Sequence, residues 1–175
     1  IDYDKQASST GIARKTPGGN IQTHKAGLTY EQSSGLTMLE AKSTLRNYSK
    51  DADITIADLT WTYGMSYDFM SEFDVIIVPS SLSQIETAST EIFILEYIQK
   101  NSAKFNAKSQ YILVAPSRIE PGQQSDIGFT GLSFLPTCFI ALPIYRIPDI
   151  NKHLHISYFF QSQDPAIAIN FCEFG

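Results

Sequence analysis

Phe73-Asp74-Val75-Ile76-Ile77-Val78-Pro79, then Ile85, Ala88, Ile92, Leu95 and Ile98, then Tyr111-Ile112-Leu113-Val114-Ala115, is the stretch that decides the fold class. The two outer runs are continuous, rich in β-branched or aromatic residues, and each is closed by a proline. Strands buried on both faces of a parallel sheet read this way, whereas a strand with one wet face would alternate. Between them, steps of three and four set one apolar stripe along a helix. Ser83 and Glu86 have the spacing of a capping box at its start, and the helix is expected to fade near Asn101. Strand, helix and strand in this order predict a right-handed parallel crossover.

Working outward, Ile54-Thr55-Ile56-Ala57 and Cys138-Phe139-Ile140-Ala141-Leu142 read as two more buried strands. Leu36 to Leu45 and Ile150 to Phe160 are weaker helical stretches. Asp164-Pro165 opens a final helix with the proline at its first position. Ser9 to Ser34, with the turn signal Pro17-Gly18-Gly19-Asn20, and Arg118 to Thr130 read as loops. The expected fold is α/β, a doubly wound and mostly parallel sheet, in one domain over residues 1–175.

Composition narrows the function classes. With 43% hydrophobic and 18% charged residues the chain is an ordinary globular sequence, and its apolar runs are too short to span a bilayer. A net charge of −5 argues against an intrinsic nucleic-acid binder, which needs a basic surface. Cys138 and Cys172 lie in apolar contexts without metal spacing, as free thiols of a reducing cytoplasm do. No signal peptide opens the sequence. Ile1 is not a start methionine, and the sequence reads as a piece whose beginning lies elsewhere.

Ligands of open parallel sheets bind at the carboxyl ends of the strands. That singles out Asp2 and Asp4, Asp58, Pro79 to Ser83, Ser117-Arg118 and Pro143 to Arg146. Asp58 follows its apolar run either as the cap of the next helix or as a carboxylate holding a magnesium-bound water. His153 and His155 are two apart and on a helix point to different faces, so they cannot chelate together. Ser80, Ser81 and Ser83 lack the G-x-S-x-G elbow of hydrolases.

Taken in order, these segments resemble the ParA/MinD-type partition ATPases. Asp2-x-Asp4-x-Gln6 is similar to that family's D-x-D-P-Q, with Lys5 in place of the proline. Asp53-Ile54-Thr55-Ile56-Ala57-Asp58 resembles its Walker B strand, and Phe73 to Pro79 the strand that follows. Leu142 to Ile150 resembles the stretch before its closing helices. The resemblance implies a P-loop NTPase-like fold in which Asp4 positions the attacking water and Asp2 lies near the magnesium. Asp58 would hold Mg2+ through water, while Ser117, Arg118 and Pro143 would flank the adenine of ATP. It implies a homodimer, a ParB-like adaptor and nonspecific DNA as partners, no membrane attachment, and plasmid or chromosome partitioning in the cytoplasm.

The departures are as informative. The family's phosphate loop, K-G-G-x-G-K-T, has no counterpart, and no Gly-Lys dipeptide occurs. Arg14-Lys15-Thr16-Pro17-Gly18-Gly19 has the residue types in the wrong order, with a proline where an amide donor is needed. The N-terminal strand and P-loop are therefore absent from this sequence and are expected upstream of Ile1. The alternatives are a P-loop-less pseudo-ATPase serving as a protein-binding module, or a relative working in conjugation or cell-division positioning.

Overall fold

The computed structural model describes residues 1–4, 6–15, 21–26, 35–59, 67–105, 110–120, 122–123, 129, 131–132, 135 and 137–146. The helices expected over Ile150 to Phe160 and from Pro165, the histidines 153 and 155, Cys172 and the turn Pro17 to Asn20 lie outside these residues. The described chain forms two compact units, one up to Glu72 and one from Phe73 onward.

The first unit is organised by the segment 1–3, which lies between two other extended segments. Asp2 donates its N–H to the His24 carbonyl (2.8 Å) and accepts from Ala26 N–H (2.9 Å), a parallel bridge to Lys25. On its other edge Tyr3 N–H donates to the Asp58 carbonyl (2.9 Å) and Asp58 N–H to that of Ile1 (2.8 Å), a parallel bridge to Asp58. Around these segments stand α1 (Ser8–Lys15), α2 (Gly35–Ser49) and the single turn α3 (Tyr67–Met70). The core is Tyr3, Ala41, Leu45, Phe69 and Met70, all buried. Tyr3 meets Phe69 edge-on at 5.4 Å, the arrangement that the ring quadrupoles favour, and its hydroxyl donates to the Ala41 carbonyl (3.1 Å). Outside that core, Lys42 pairs with Asp68 and Glu72, and Arg46 with Glu72.

Two expectations fail in this unit. Ser9 to Ser34 is not all loop, because Ser8–Lys15 is helical. The run 54–57 forms no strand, the segment being joined to 1–3 by the isolated bridge at Asp58, and Ile54 and Ile56 are 82% and 76% exposed. Among the described residues its neighbour is the segment 1–3.

The second unit is the parallel α/β core. β1 (Val75–Ser80), α4 (Gln84–Phe105) and β2 (Tyr111–Ile119) form the expected strand–helix–strand unit, with β1 and β2 paired in parallel from Val75 opposite Tyr111 to Ser80 opposite Pro116. β3 (Cys138–Ile140) adds in parallel along Ile112 to Val114. Farther along β2, Ser117 and Ile119 pair with β4 (Ile144–Tyr145). Among the described residues β1 is bonded along one edge only, to β2.

The alternation of side chains along a strand assigns the two faces. Ser80, Ile112, Val114, Pro116 and Cys138 are buried on one face. α4 covers it, anchored where Thr90 Oγ1 donates to Ser80 Oγ at 3.0 Å inside the core. A second anchor is the Tyr97 hydroxyl, which donates to Gln110 Oε1 (2.6 Å), while Gln110 Nε2 donates to the Phe73 carbonyl (2.5 Å). On the opposite face Val75, Ile77, Tyr111 and Phe139 are exposed while Leu113 is half-buried and Ala115 buried, so the expectation of strands buried on both sides holds only in part.

Helix α4 departs from its expected orientation. Buried residues are Thr90, Phe93, Ile94 and Tyr97, whereas Ile85, Ala88, Ile92 and Leu95 of the expected core stripe are exposed. The aromatic set decides the phase: Phe93 and Tyr97 are larger than the aliphatics opposite them and remove more apolar area from water. The helix also runs past Asn101 to Phe105.

Candidate functional site

The first unit brings Asp2 and Asp58 together, with the Asp4 backbone N–H on Asp2. Asp2 and Asp58 are partners across a parallel bridge, so their side chains leave the same face on adjacent segments. That face looks onto the start of α1. Thr10 N–H, one of the donors that a helix N-terminus leaves without an internal partner, donates to Asp2 Oδ2 at 2.9 Å. Asp2 Oδ1 accepts from Asp4 N–H at 3.0 Å. Both oxygens of this 3%-exposed carboxylate are thus engaged by backbone amides, and the negative charge sits at the positive end of a helix dipole. Asp2 performs a capping function from six residues before the helix begins. That is why spacing did not reveal it.

Asp58 is exposed and accepts a hydrogen bond from the Ser9 hydroxyl on Oδ2. No backbone N–H of a helix donates to the Asp58 carboxylate among the bonds of the described residues, so its contact with α1 is through the Ser9 side chain alone. Asp4 is half-buried, its carbonyl accepts from Ala7 N–H (3.1 Å), and its carboxylate has no hydrogen bond or ion pair among the described residues. The turn from Asp4 closes through Ala7, whose φ of 52° lies in the left-handed region that side chains disfavour.

Among the described residues no group of three or more His, Cys, Asp or Glu is placed to hold a metal directly. The start of α1 is a poor phosphate cradle, since Asp2 takes Thr10 N–H and the carboxylates of Asp2 and Asp58 stand at that end.

In the second unit Ser117, Arg118 and Pro143 are neighbours at the carboxyl ends of β2 and β3. Ser117 pairs with Ile144, the residue after Pro143, and Ile119 with Tyr145, so Arg118 is the extra residue of a bulge. Its φ of 59° follows from that geometry and re-aims the side chain. The Arg118 guanidinium donates to both oxygens of Glu86, at 2.8 and 2.6 Å.

Glu86 belongs to the start of α4. Its N–H donates to Ser83 Oγ (3.3 Å), one half of the expected capping box, but its carboxylate accepts from Ser81 N–H (2.9 Å) rather than from Ser83. The Ser81 amide and then the Ser81 hydroxyl hold this carboxyl below the usual glutamate range, with Arg118 adding to them, against an opposing effect of desolvation. Ser80, one of the serines weighed as a nucleophile, is buried and accepts the Thr90 hydroxyl. Cys138 is a buried free thiol, as expected, and burial pushes its pKa up.

The sequence reading singled out Asp2, Asp58, Ser117 and Arg118 but missed the hydroxyls and amides of Ser9 and Thr10 and the role of Glu86 toward Arg118. Only the capping-box spacing of Glu86 signalled any of these beforehand. No helix among the described residues is long and apolar enough to cross a membrane. No family model, curated protein or solved structure matches this chain.

Proposed function

We propose that this chain is the body of a ParA-like partition ATPase domain, doubly wound in the manner of P-loop NTPases, whose phosphate loop lies outside the sequence. One observation carries the reading: the segment of Asp2 and Asp4 pairs in parallel directly beside the segment that ends in Asp58. Two acid-bearing segments bridged side by side are what a nucleotide-hydrolysing site of this class needs. Asp58 would hold the shell of a magnesium ion, and Asp4, with its carboxylate unengaged among the described residues, would orient water. Asp2 would position both by fixing α1 against them. Ser117, Arg118 and Pro143 would flank the base of ATP, Arg118 being held by Glu86. Among the described residues β1 has one edge that is not bonded, where a further parallel strand could pair. Homodimerisation, a ParB-like adaptor and nonspecific DNA would follow from the resemblance.

The test is calorimetry with ATP and magnesium, on the chain alone and on the chain with its upstream sequence. The reading expects negligible binding by the 175 residues and micromolar binding by the extended protein. Asp58→Ala and Asp4→Ala should then each lower hydrolysis by at least about tenfold, the scale of a lost positioning or acid–base group. An upstream sequence without a Gly-rich, Lys-containing loop would sink it.

A second reading, a pseudo-ATPase acting as a binding module, is favoured by the exposed apolar stripe of α4. Micromolar ATP binding by the 175-residue chain would exclude it.

A further inference from the structure

Ile85, Ala88, Ile92 and Leu95 follow one another at steps of three, four and three along α4. These are the a and d positions of two heptads, the narrow seam by which one helix packs on another. The seam is turned away from the core: Ile85, Ile92 and Leu95 are 81%, 59% and 51% exposed, while Phe93, Ile94 and Tyr97 are buried on the opposite side. Ile92 and Ile94 are about 200° apart around the axis, so one helix cannot bury both against one sheet. An apolar row of this length facing water marks an interaction surface rather than scattered exposure.

The flanks of the seam select its occupant. Glu91 lies on one side and Glu96 on the other, and the nearby Lys100 is tied to Glu96 at 3.2 Å. The remaining neighbours, Gln84, Ser89 and Gln99, carry no charge. A second copy of this helix is a poor fit in either direction. A parallel pair sets Glu91 against Glu96 of the copy, and an antiparallel pair with Ile85 against Leu95 sets Glu91 against its own counterpart. An anionic lipid surface is disfavoured for the same reason, because interfacial helices flank their apolar face with Lys and Arg. We propose that the outer seam of α4 docks an amphipathic helix of a partner protein whose flanking positions are basic. This rests on α4 alone and is independent of the nucleotide reading.

The probes are two synthetic three-heptad peptides with the same Ile/Leu seam, one with Lys and one with Glu at the flanking positions. Binding to the full chain is followed by fluorescence anisotropy. The Lys-flanked peptide should bind about tenfold more tightly than the Glu-flanked one at low salt, with the difference shrinking as salt screens it. Ile92→Asp should abolish binding, and Ile92→Gln should weaken it if the first variant folds poorly, with circular dichroism reporting the fold of each. A Glu91→Lys, Glu96→Lys double variant should reverse the preference between the peptides. Equal binding of both peptides, binding of neither, or binding unchanged by Ile92→Asp overturns the proposal. So does a sedimenting dimer of this chain that Ile92→Asp dissolves, which would give the seam to a second copy.

Discussion

Asp2 and Asp58 stand opposite each other across a parallel bridge, and both carboxylates are turned to the first turn of α1, one on Thr10 N–H and the other on the Ser9 hydroxyl. Two like charges side by side would repel. The helix N-terminus between them supplies the compensating positive end.

Removing the buried partner therefore exposes the cost of that arrangement. Asp2→Ala leaves the amides of Asp4 and Thr10 without their acceptor in a place that water reaches poorly. We expect a loss of about 2–3 kcal/mol, the range for buried hydrogen bonds to a charged group combined with a lost cap. Urea unfolding measures it, and an unchanged midpoint would show that the cap contributes nothing.

The turn into α1 offers a gain. Ala7 holds φ at 52°, where an L side chain costs about 1–2 kcal/mol and glycine does not. Glycine's extra freedom in the unfolded chain offsets about 0.4–1 kcal/mol of this. Ala7→Gly should accordingly raise the stability by up to about 1 kcal/mol. A lower thermal midpoint for this variant would contradict the strain at Ala7.

Acid should loosen the start of α4. Glu86 has its pKa lowered in the fold from the ordinary 4.5, first by the Ser81 amide and hydroxyl and then by Arg118. A lowered value means that the unfolded chain binds the proton more readily. The stabilisation is complete above the unfolded value and is lost as pH falls through the folded one. The difference in stability between the wild type and Glu86→Gln should thus be present at pH 7 and shrink below about pH 4.5. A difference that stays constant with pH would assign Glu86 no charge-dependent role.

The orientation of α4 is checked by two isoleucines. Ile94 is fully buried and Ile92 faces outward. Ile94→Ala should cost about 2–4 kcal/mol, and Ile92→Ala less than about 0.5 kcal/mol. The reverse ranking in chemical denaturation would restore the phase that the aliphatic spacing suggested.

That phase shows where sequence reading stopped. Hydrophobic spacing located α4, β1, β2 and β3, because continuous apolar runs and a helical period are local properties. It chose the wrong side of α4 because that helix carries two apolar rows: the aliphatic row obeys the simple steps, while Phe93, Ile94 and Tyr97 bring the greater buried area. The candidate site was legible as acids after apolar runs. The donors that engage those acids were not. Thr10 reaches Asp2 only after the chain has turned through Ala7, and Ser9 reaches Asp58 only because segment 56–58 lies beside 1–3.

The sequence by itself thus determined a parallel α/β unit from Val75 onward, the helices near Leu36 and Ile85, and the acids at Asp2, Asp4 and Asp58 as the residues to examine. Each follows from composition and spacing within a few turns of chain. Tertiary structure alone decided that Asp2 is buried as a cap, that the Asp4 carboxylate makes no bond among the described residues, and that Arg118 is aimed at Glu86 by a bulge in β2. Those outcomes depend on which segments become neighbours, and pairing between distant segments is set by the burial of whole faces rather than by any local signal.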